Sequence, residues 1–136
     1  FYWAEEGIGA YLNDQRLRVK SKKTLDKSII ALGIPFLGRG DHQQHIKFQK
    51  AVMSKVAGLR RFGAASLDLA FVAAGRVDGF WEFGLSPWDI AAGIILVKEA
   101  GGLAIGIDNK EDPLITGNIV AGNVNIVQEL QKILNA

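Results

Sequence analysis

Short apolar runs alternate with amphipathic segments along the whole chain. Compact apolar runs bounded by turn residues predict buried strands at 28–36, 59–62, 78–83, 103–107 and 119–121. Longer segments with helical periodicity or an alanine-rich apolar core predict helices at 41–57, 66–74, 86–100 and 123–134. Helices that alternate with short strands predict a layered α/β/α sandwich with a mostly parallel sheet, covering residues 21–136.

Capping residues mark several of these helix ends. Asp41, with Gln44 three positions later, has the pattern of a capping box. Ser86-Pro87-Trp88-Asp89 combines a capping serine, a proline suited to the first turn and an acid at the positive end of the helix dipole. Asn123 is the predicted cap of the last helix. Gly58 and Gly101 are the predicted stops of the helices that precede them.

The first 20 residues have a different pattern. Aromatic residues at 1–5 and alternating residues at 16–20 predict the two strands of a hairpin, with turn chemistry at Asn13-Asp14. Few apolar residues follow directly, so we expect this hairpin to pack on a segment outside the chain.

Composition narrows the class of protein. Of the 136 residues, 49% are hydrophobic and 22% charged, which is typical of a globular domain. The net charge of +2 and the absence of a dense basic stripe argue against nucleic-acid binding. The chain has no cysteine, which suits a reducing cytoplasm, and its longest apolar run, 90–97, is too short to span a membrane.

Three features could carry chemistry. Asp89 has the spacing of a helix-capping acid, and on spacing alone that interpretation is favoured. Small residues at 63–66 either leave backbone N–H groups open to an anion or allow close helix–sheet packing. Glu82, on an aromatic-rich strand, fits a structural salt bridge as well as a substrate contact, because a bare buried carboxylate is costly.

Two other polar groups are weaker candidates. His42 and His45 lie one turn apart, but without a third ligand we interpret them as a solvated helix face. The acids between Asp108 and Asp112 lack the spacing of an EF-hand and are interpreted as a turn.

Four segments together resemble the inositol monophosphatase family, and specifically the C-terminal half of its enzymes. They are WAEEGIGAYLN at 3–13, GAASLDLAFVAAGRVDGFWE at 63–82, PWDIAAGIILVKEAGG at 87–102 and TGNIVAGN at 116–123. The resemblance implies a cytoplasmic, commonly homodimeric enzyme that hydrolyses phosphate monoesters, typically of inositol, with Mg²⁺ and with inhibition by Li⁺.

The resemblance also implies roles for individual residues. Asp89 corresponds to a metal ligand, Glu82 to a residue that binds an inositol hydroxyl, and Gly63, Ala64 and Ala65 to a substrate-binding segment. Position 64 often carries a hydroxyl in the family, so alanine here leaves only the backbone donor.

Two acidic motifs of the family occur nowhere in the sequence. They are the aspartate–proline–(apolar)–aspartate–glycine–threonine run and the upstream glycine–glutamate–glutamate motif, which supply most of the metal-binding carboxylates. We therefore expect a missing N-terminal half to be the partner of this chain, and the chain alone to be inactive. The alternatives left open are a phosphatase of another sugar or nucleotide phosphate and a non-catalytic interaction module.

Overall fold

Eight strands and five α-helices make up the computed structural model, which describes all 136 residues. The strands are β1 (Tyr2–Glu5), β2 (Gly9–Leu12), β3 (Gln15–Arg16), β4 (Ile29–Leu32), β5 (Gly58–Arg60), β6 (Gly79–Glu82), β7 (Leu103–Gly106) and β8 (Ile119–Gly122). The helices are α1 (His42–Met53), α2 (Ala65–Ala73), α3 (Pro87–Glu99), α4 (Pro113–Thr116) and α5 (Val124–Leu134). One turn of 3₁₀ helix, Leu25–Lys27, precedes β4.

The central sheet has the strand order β5-β4-β6-β8-β7. β4 pairs in parallel with both β5 and β6, and β8 pairs antiparallel with both β6 and β7. Four of the five strands therefore run in one direction, and only β8 is reversed. This arrangement confirms the predicted α/β class, with a mixed sheet in which most strands are parallel.

Two apolar clusters cover the two faces of this sheet. One joins β6 residues such as Phe80 to α2 and α3, through Leu69 and Val97. The other joins Trp81, the next residue of β6, to α1 and α5, through Phe48 and Leu130. Successive strand residues point to opposite faces, which is why the strand sequences are apolar throughout rather than alternating.

The N-terminal segment is a three-stranded antiparallel sheet rather than a simple hairpin. Its order is β1-β2-β3, with the first turn at 6–8 and the predicted Asn13-Asp14 turn between β2 and β3. Asn13 has a φ of 53°, a left-handed conformation that asparagine tolerates better than most residues. Two strands were predicted because glycines at 7 and 9 were not interpreted as a turn.

This small sheet packs on an apolar surface within the chain, and the sequence did not predict that contact. Ala10 and Leu17 belong to the same cluster as α3, so α3 lies between the small sheet and the central sheet. The opposite face carries the stacked rings of Trp3 and Tyr11, whose centroids are 4.4 Å apart. The packing of this Trp3 and Tyr11 face on a missing N-terminal half stays a prediction.

Several element boundaries differ from those predicted. α1 ends at Met53, and Gly58 begins β5 instead of stopping the helix. The strand predicted over 28–36 is only β4, because the chain leaves the sheet at Gly33. The short helix α4 was predicted as loop. No helix is both long and apolar enough to cross a lipid bilayer.

Candidate functional site

The candidate residues meet at one edge of the central sheet. β5, β4 and β6 are parallel neighbours, so their carboxyl ends open at the same edge. The chain leaves β5 toward Gly63 and the start of α2, and it leaves β6 at Glu82 toward the start of α3. Ligands in open α/β sheets bind outside the carboxyl ends of strands, and here two helix N-termini converge there.

A cavity of about 360 Å³ lies at this edge. All five predicted site residues line it: Gly63, Ala64, Ala65, Glu82 and Asp89. An adjoining cavity of about 250 Å³ shares Glu82 and Asp89 and is also lined by residues of the segment 34–41. Residues separated by as many as 26 positions in the sequence are thus brought to one surface by the strand order.

The start of α2 presents unpaired donors to the cavity. Ala64 occupies the N-cap position, and its side chain provides no capping acceptor. No backbone or side-chain acceptor takes the N–H groups of Gly63, Ala64 or Ala65. Gly63 has a φ of 84°, a backbone conformation that favours glycine. The helix dipole and these open N–H groups together suit an anion such as a phosphate.

Glu82 lines the cavity without an ion pair. The chain has only two salt bridges, Lys22–Asp78 and Lys132–Glu129, so the salt bridge that the sequence left open as one alternative for Glu82 is not formed. Burial, and secondarily the carboxyl groups of Asp68 and Asp89, raise the pKa of Glu82 to about 7, while Arg61 opposes the shift. A Cβ at position 33 would overlap the Glu82 side chain, so glycine there makes room for it.

Asp89 lies in the first turn of α3, as the sequence predicted. Its Oδ2 accepts a hydrogen bond from the Ser86 N–H at 3.0 Å, and its own N–H donates to the Ser86 carbonyl oxygen at 2.9 Å. Asp89 is therefore a capping acid, and its half-buried carboxylate also lines the cavity. Capping engages one carboxylate oxygen, and no hydrogen bond occupies Oδ1.

The donor set fits part of a Mg²⁺ site. Mg²⁺ prefers oxygen ligands, keeps several waters and takes one or two carboxylates from a protein. Asp89 offers such a carboxylate, and Glu82 lines the same cavity. No group of three or more His, Cys, Asp or Glu side chains in the chain is arranged to hold a metal ion. The residues present thus suit a shared site to which other carboxylates are added.

Two charged residues that act on the pKa of Glu82 were not found from the sequence. Asp68 on α2 is only 1% exposed, and burial raises its pKa to about 7 against the opposing effect of Arg61. Arg61 itself lines the cavity. The available signal for Asp68 was that it is the only acid in the largely apolar helix ASLDLAFVA, where it lies between two leucines.

These two raised pKa values predict a pH dependence of stability. Unfolding returns Asp68 and Glu82 to ordinary carboxyl pKa values near 4, so the unfolded chain binds fewer protons between about pH 4 and pH 7. Their contribution to the free energy of unfolding should therefore be greatest below about pH 4 and be lost as the pH rises through about 7.

The measurement is denaturant unfolding, in metal-free buffer, of the wild type and of the double variant Asp68→Asn, Glu82→Gln. The stability of the variant relative to the wild type should increase from about pH 4 to about pH 8. A difference between the two proteins that does not change with pH would contradict the raised pKa values.

The weaker candidates have structural contacts. His42 is exposed, and its Nε2 lies 3.0 Å from the carbonyl oxygens of Phe36 and Arg39. The interpretation of both histidines as solvated is wrong for His45, which is 7% exposed and 2.7 Å from Gln49 Oε1. The Asp108–Asp112 segment is a turn, and Asp112 caps α4 through the N–H of Leu114.

Comparison with known proteins identifies the family. The inositol monophosphatase family matches residues 1–136, the whole chain. The chain belongs to the inositol monophosphatase family. An inositol-1-monophosphatase of Rhizobium meliloti is 50% identical over 133 residues, which cover 98% of this chain and 50% of that protein. The Nus factor SuhB of Escherichia coli is 46% identical, with 95% of this chain and 48% of that protein covered.

Solved structures of inositol monophosphatase relatives have the same fold. The extragenic suppressor protein suhB of Bartonella henselae superposes with a TM-score of 0.93 at 46% identity, covering 98% of this chain and 51% of that chain. An inositol monophosphatase from Anabaena superposes with a TM-score of 0.85 at 35% identity, covering 98% and 53%. This member of the family thus spans about half the length of the relatives that it matches.

Proposed function

We propose that this chain supplies one half of the active site of a Mg²⁺-dependent phosphatase that hydrolyses inositol monophosphate to inositol and phosphate. The observation that supports the proposal is that all the proposed groups line one cavity at the carboxyl edge of the sheet. Open N–H groups, a cavity-facing Glu82 and the Asp89 carboxylate line it together. Hydrolysis of a polyol phosphate requires an anion site for the phosphate, an acceptor for the hydroxyl groups and a metal ligand.

Each part has a role that follows from its chemistry. The N–H groups of 63–65 donate to phosphate oxygens and orient the ester. Glu82 accepts a hydrogen bond from a substrate hydroxyl and so fixes the alcohol. Asp89 would hold the Mg²⁺, which when bound polarises the phosphate and stabilises charge on the leaving oxygen.

The remaining ligands are proposed to come from the half of the enzyme that this chain lacks. A phosphoryl transfer site depends on positioning and on neutralising the charge of the phosphate, and one carboxylate is too few for either. The position of Asp89 at the edge of the cavity, half-buried, leaves it accessible to such a partner segment.

A direct prediction is that residues 1–136 alone do not turn over substrate. Phosphate release from inositol 1-phosphate should occur with the full-length polypeptide and Mg²⁺, and should be at background for the isolated segment 1–136. Circular dichroism of the isolated segment provides the control that it is folded. Robust turnover by the folded segment would contradict the shared site.

Another sugar phosphate or a nucleotide phosphate is the alternative substrate. Glu82 favours a polyol, because an acid lining the cavity selects for a hydroxyl donor. A non-catalytic interaction module is the second candidate function, and the observation in its favour is the group of relatives named Nus factor SuhB. Loss of phosphate release in the Asp89→Asn variant would favour the catalytic function over this candidate.

The homodimer implied by the family resemblance is part of the proposal. Trp88 on α3 is 82% exposed, and Ile115 on α4, a helix that packs against α3, is 84% exposed. Large apolar side chains exposed on neighbouring elements are typical of protein–protein contacts. Trp88 adjoins Asp89, so this contact would lie beside the active site.

A further inference from the structure

The two adjoining cavities at the carboxyl edge of the sheet have different walls. The first is lined by the start of α2 and by Arg61, and the second is lined by neither. The second cavity, of about 250 Å³, takes much of its wall from the segment 34–41 and the start of α1. Glu82 and Asp89 line both cavities and therefore lie at their junction.

This arrangement divides the proposed substrate between the two cavities. The phosphate is proposed to bind the N–H groups of 63–65, which line the first cavity only. The alcohol part of the ester is proposed to contact Glu82, which also lines the second cavity. An alcohol that is larger than the immediate reach of Glu82 therefore extends into the second cavity, toward the segment 34–41.

Arg39 is the only lysine or arginine in the wall of the second cavity. The two salt bridges of the chain do not involve its guanidinium group. The guanidinium carbon lies 5.6 Å from the centre of the Phe36 ring, where a cation packs on an aromatic face. Phe36 thus limits the positions of the guanidinium, and no carboxylate occupies its N–H donors. Hydroxyl groups of a polyol are suitable acceptors for such donors.

His42 holds the turn that carries Phe36 and Arg39. The Arg39 N–H donates to the Phe36 carbonyl oxygen at 3.0 Å and closes a turn over 36–39. Nε2 of His42 lies 3.0 Å from that same oxygen and 3.0 Å from the Arg39 carbonyl oxygen. Carbonyl oxygens only accept, so Nε2 must carry a proton and donate to both ends of the turn. His42 is the first residue of α1, so these bonds fix the turn to the helix.

The contacts of His42 lie outside the core. Phe36 is 64% exposed, and Arg39 and His42 are also exposed. Neither apolar cluster includes any of the three. Hydrogen bonds at such an exposed turn contribute little to the packing of the domain. We therefore expect their effect at the wall of the second cavity rather than on global stability.

We propose that Arg39 binds hydroxyl groups of a ring-shaped polyol phosphate, on the side of the ring away from the ester bond. His42 is a positioning residue, which holds the turn that carries Arg39 at the wall of the second cavity. The inference rests on the proposed function and adds to it a pair of residues that favours phosphate esters of cyclic polyols over those of short alcohols. His42 does not touch the substrate.

The experiment compares two substrates of the full-length protein with Mg²⁺. Inositol 1-phosphate has a complete ring of hydroxyl groups, whereas glycerol 2-phosphate has hydroxyl groups beside the ester for Glu82 but no ring to reach Arg39. Arg39→Met keeps an apolar side chain and removes the donors. Its KM for inositol 1-phosphate should rise about tenfold, the effect of losing one hydrogen bond from a charged donor. Its kcat should change little, since this contact is the same before and during the reaction, and both constants for glycerol 2-phosphate should match the wild type.

Variants of His42 test the positioning role. His42→Ala should produce the same rise in KM for inositol 1-phosphate only. His42→Gln should keep most of the wild-type KM, because an amide group can donate to the same two carbonyl oxygens. In the double variant His42→Ala, Arg39→Met, KM should be no higher than in Arg39→Met, because His42 acts through Arg39.

Gln43→Ala is the matched control for His42→Ala. Gln43 is also exposed in the first turn of α1, and it lines neither cavity. It should leave both constants unchanged on both substrates. The unfolding temperatures of the control and of all the His42 and Arg39 variants should lie close to that of the wild type.

Different results would overturn the two roles. An unchanged KM for inositol 1-phosphate in Arg39→Met, or an equal rise on both substrates, would overturn binding by Arg39. An unchanged KM in His42→Ala, or a further rise in the double variant beyond Arg39→Met, would overturn positioning by His42. The proposed function fails separately, when the wild type hydrolyses neither substrate.

Discussion

Replacing Asp89 by asparagine is expected to lower Mg²⁺-dependent turnover of inositol 1-phosphate by the full-length protein about 100-fold or more, the cost of losing one electrostatic stabiliser of a transition state. The fold should remain, because an asparagine side chain still accepts the hydrogen bond from the Ser86 N–H. The change removes the charge that a cation requires and keeps the cap. Steady-state kinetics and the unfolding temperature are the two measurements.

Asp112→Asn is the control for this substitution. Asp112 also caps a helix, accepting from the Leu114 N–H at 2.9 Å, but it does not line the cavity. It should leave turnover unchanged. Unchanged turnover in Asp89→Asn as well would reduce Asp89 to a capping residue.

Replacing Gly93 by valine is expected to destabilise the fold by about 3 kcal/mol, the upper part of the usual range for overpacking a core. Gly93 is buried where α3 packs on α2, and an added Cβ there would overlap the side chain of Leu69. The N-termini of both helices line the cavity, so separating the helices should also impair turnover.

Ala92→Val is the matched control for Gly93→Val. It places the same β-branched residue in the middle of α3 at an exposed position, and should cost about 1 kcal/mol or less from helix propensity alone. Denaturant unfolding measures both variants. Equal effects of the two substitutions would mean that the contact between α2 and α3 does not limit stability.

The sequence predicts the helices well where capping chemistry is strong. α3 begins at Pro87 and ends at Glu99, within one residue of the prediction, because Ser86-Pro87 and Gly101-Gly102 restrict the backbone locally. Strand direction is less predictable. The reversal of β8 depends on the connection through α4, whose four residues carry no helical periodicity.

The residues of the candidate site were partly predictable from the sequence. Gly63 to Ala65, Glu82 and Asp89 could be named because they belong to segments with a family resemblance, and the structure brings all of them to one cavity. Their roles remain predictions. Asp68 could not be recognised as a buried carboxyl group without a partner, because its burial depends on the packing of α2 on β6.

The most direct test of the account is phosphate release from inositol 1-phosphate by the full-length protein, measured with Mg²⁺ and again after chelation. The account predicts turnover that requires Mg²⁺ and returns when Mg²⁺ is restored. No phosphate release with Mg²⁺ present, or equal release after chelation, would contradict it.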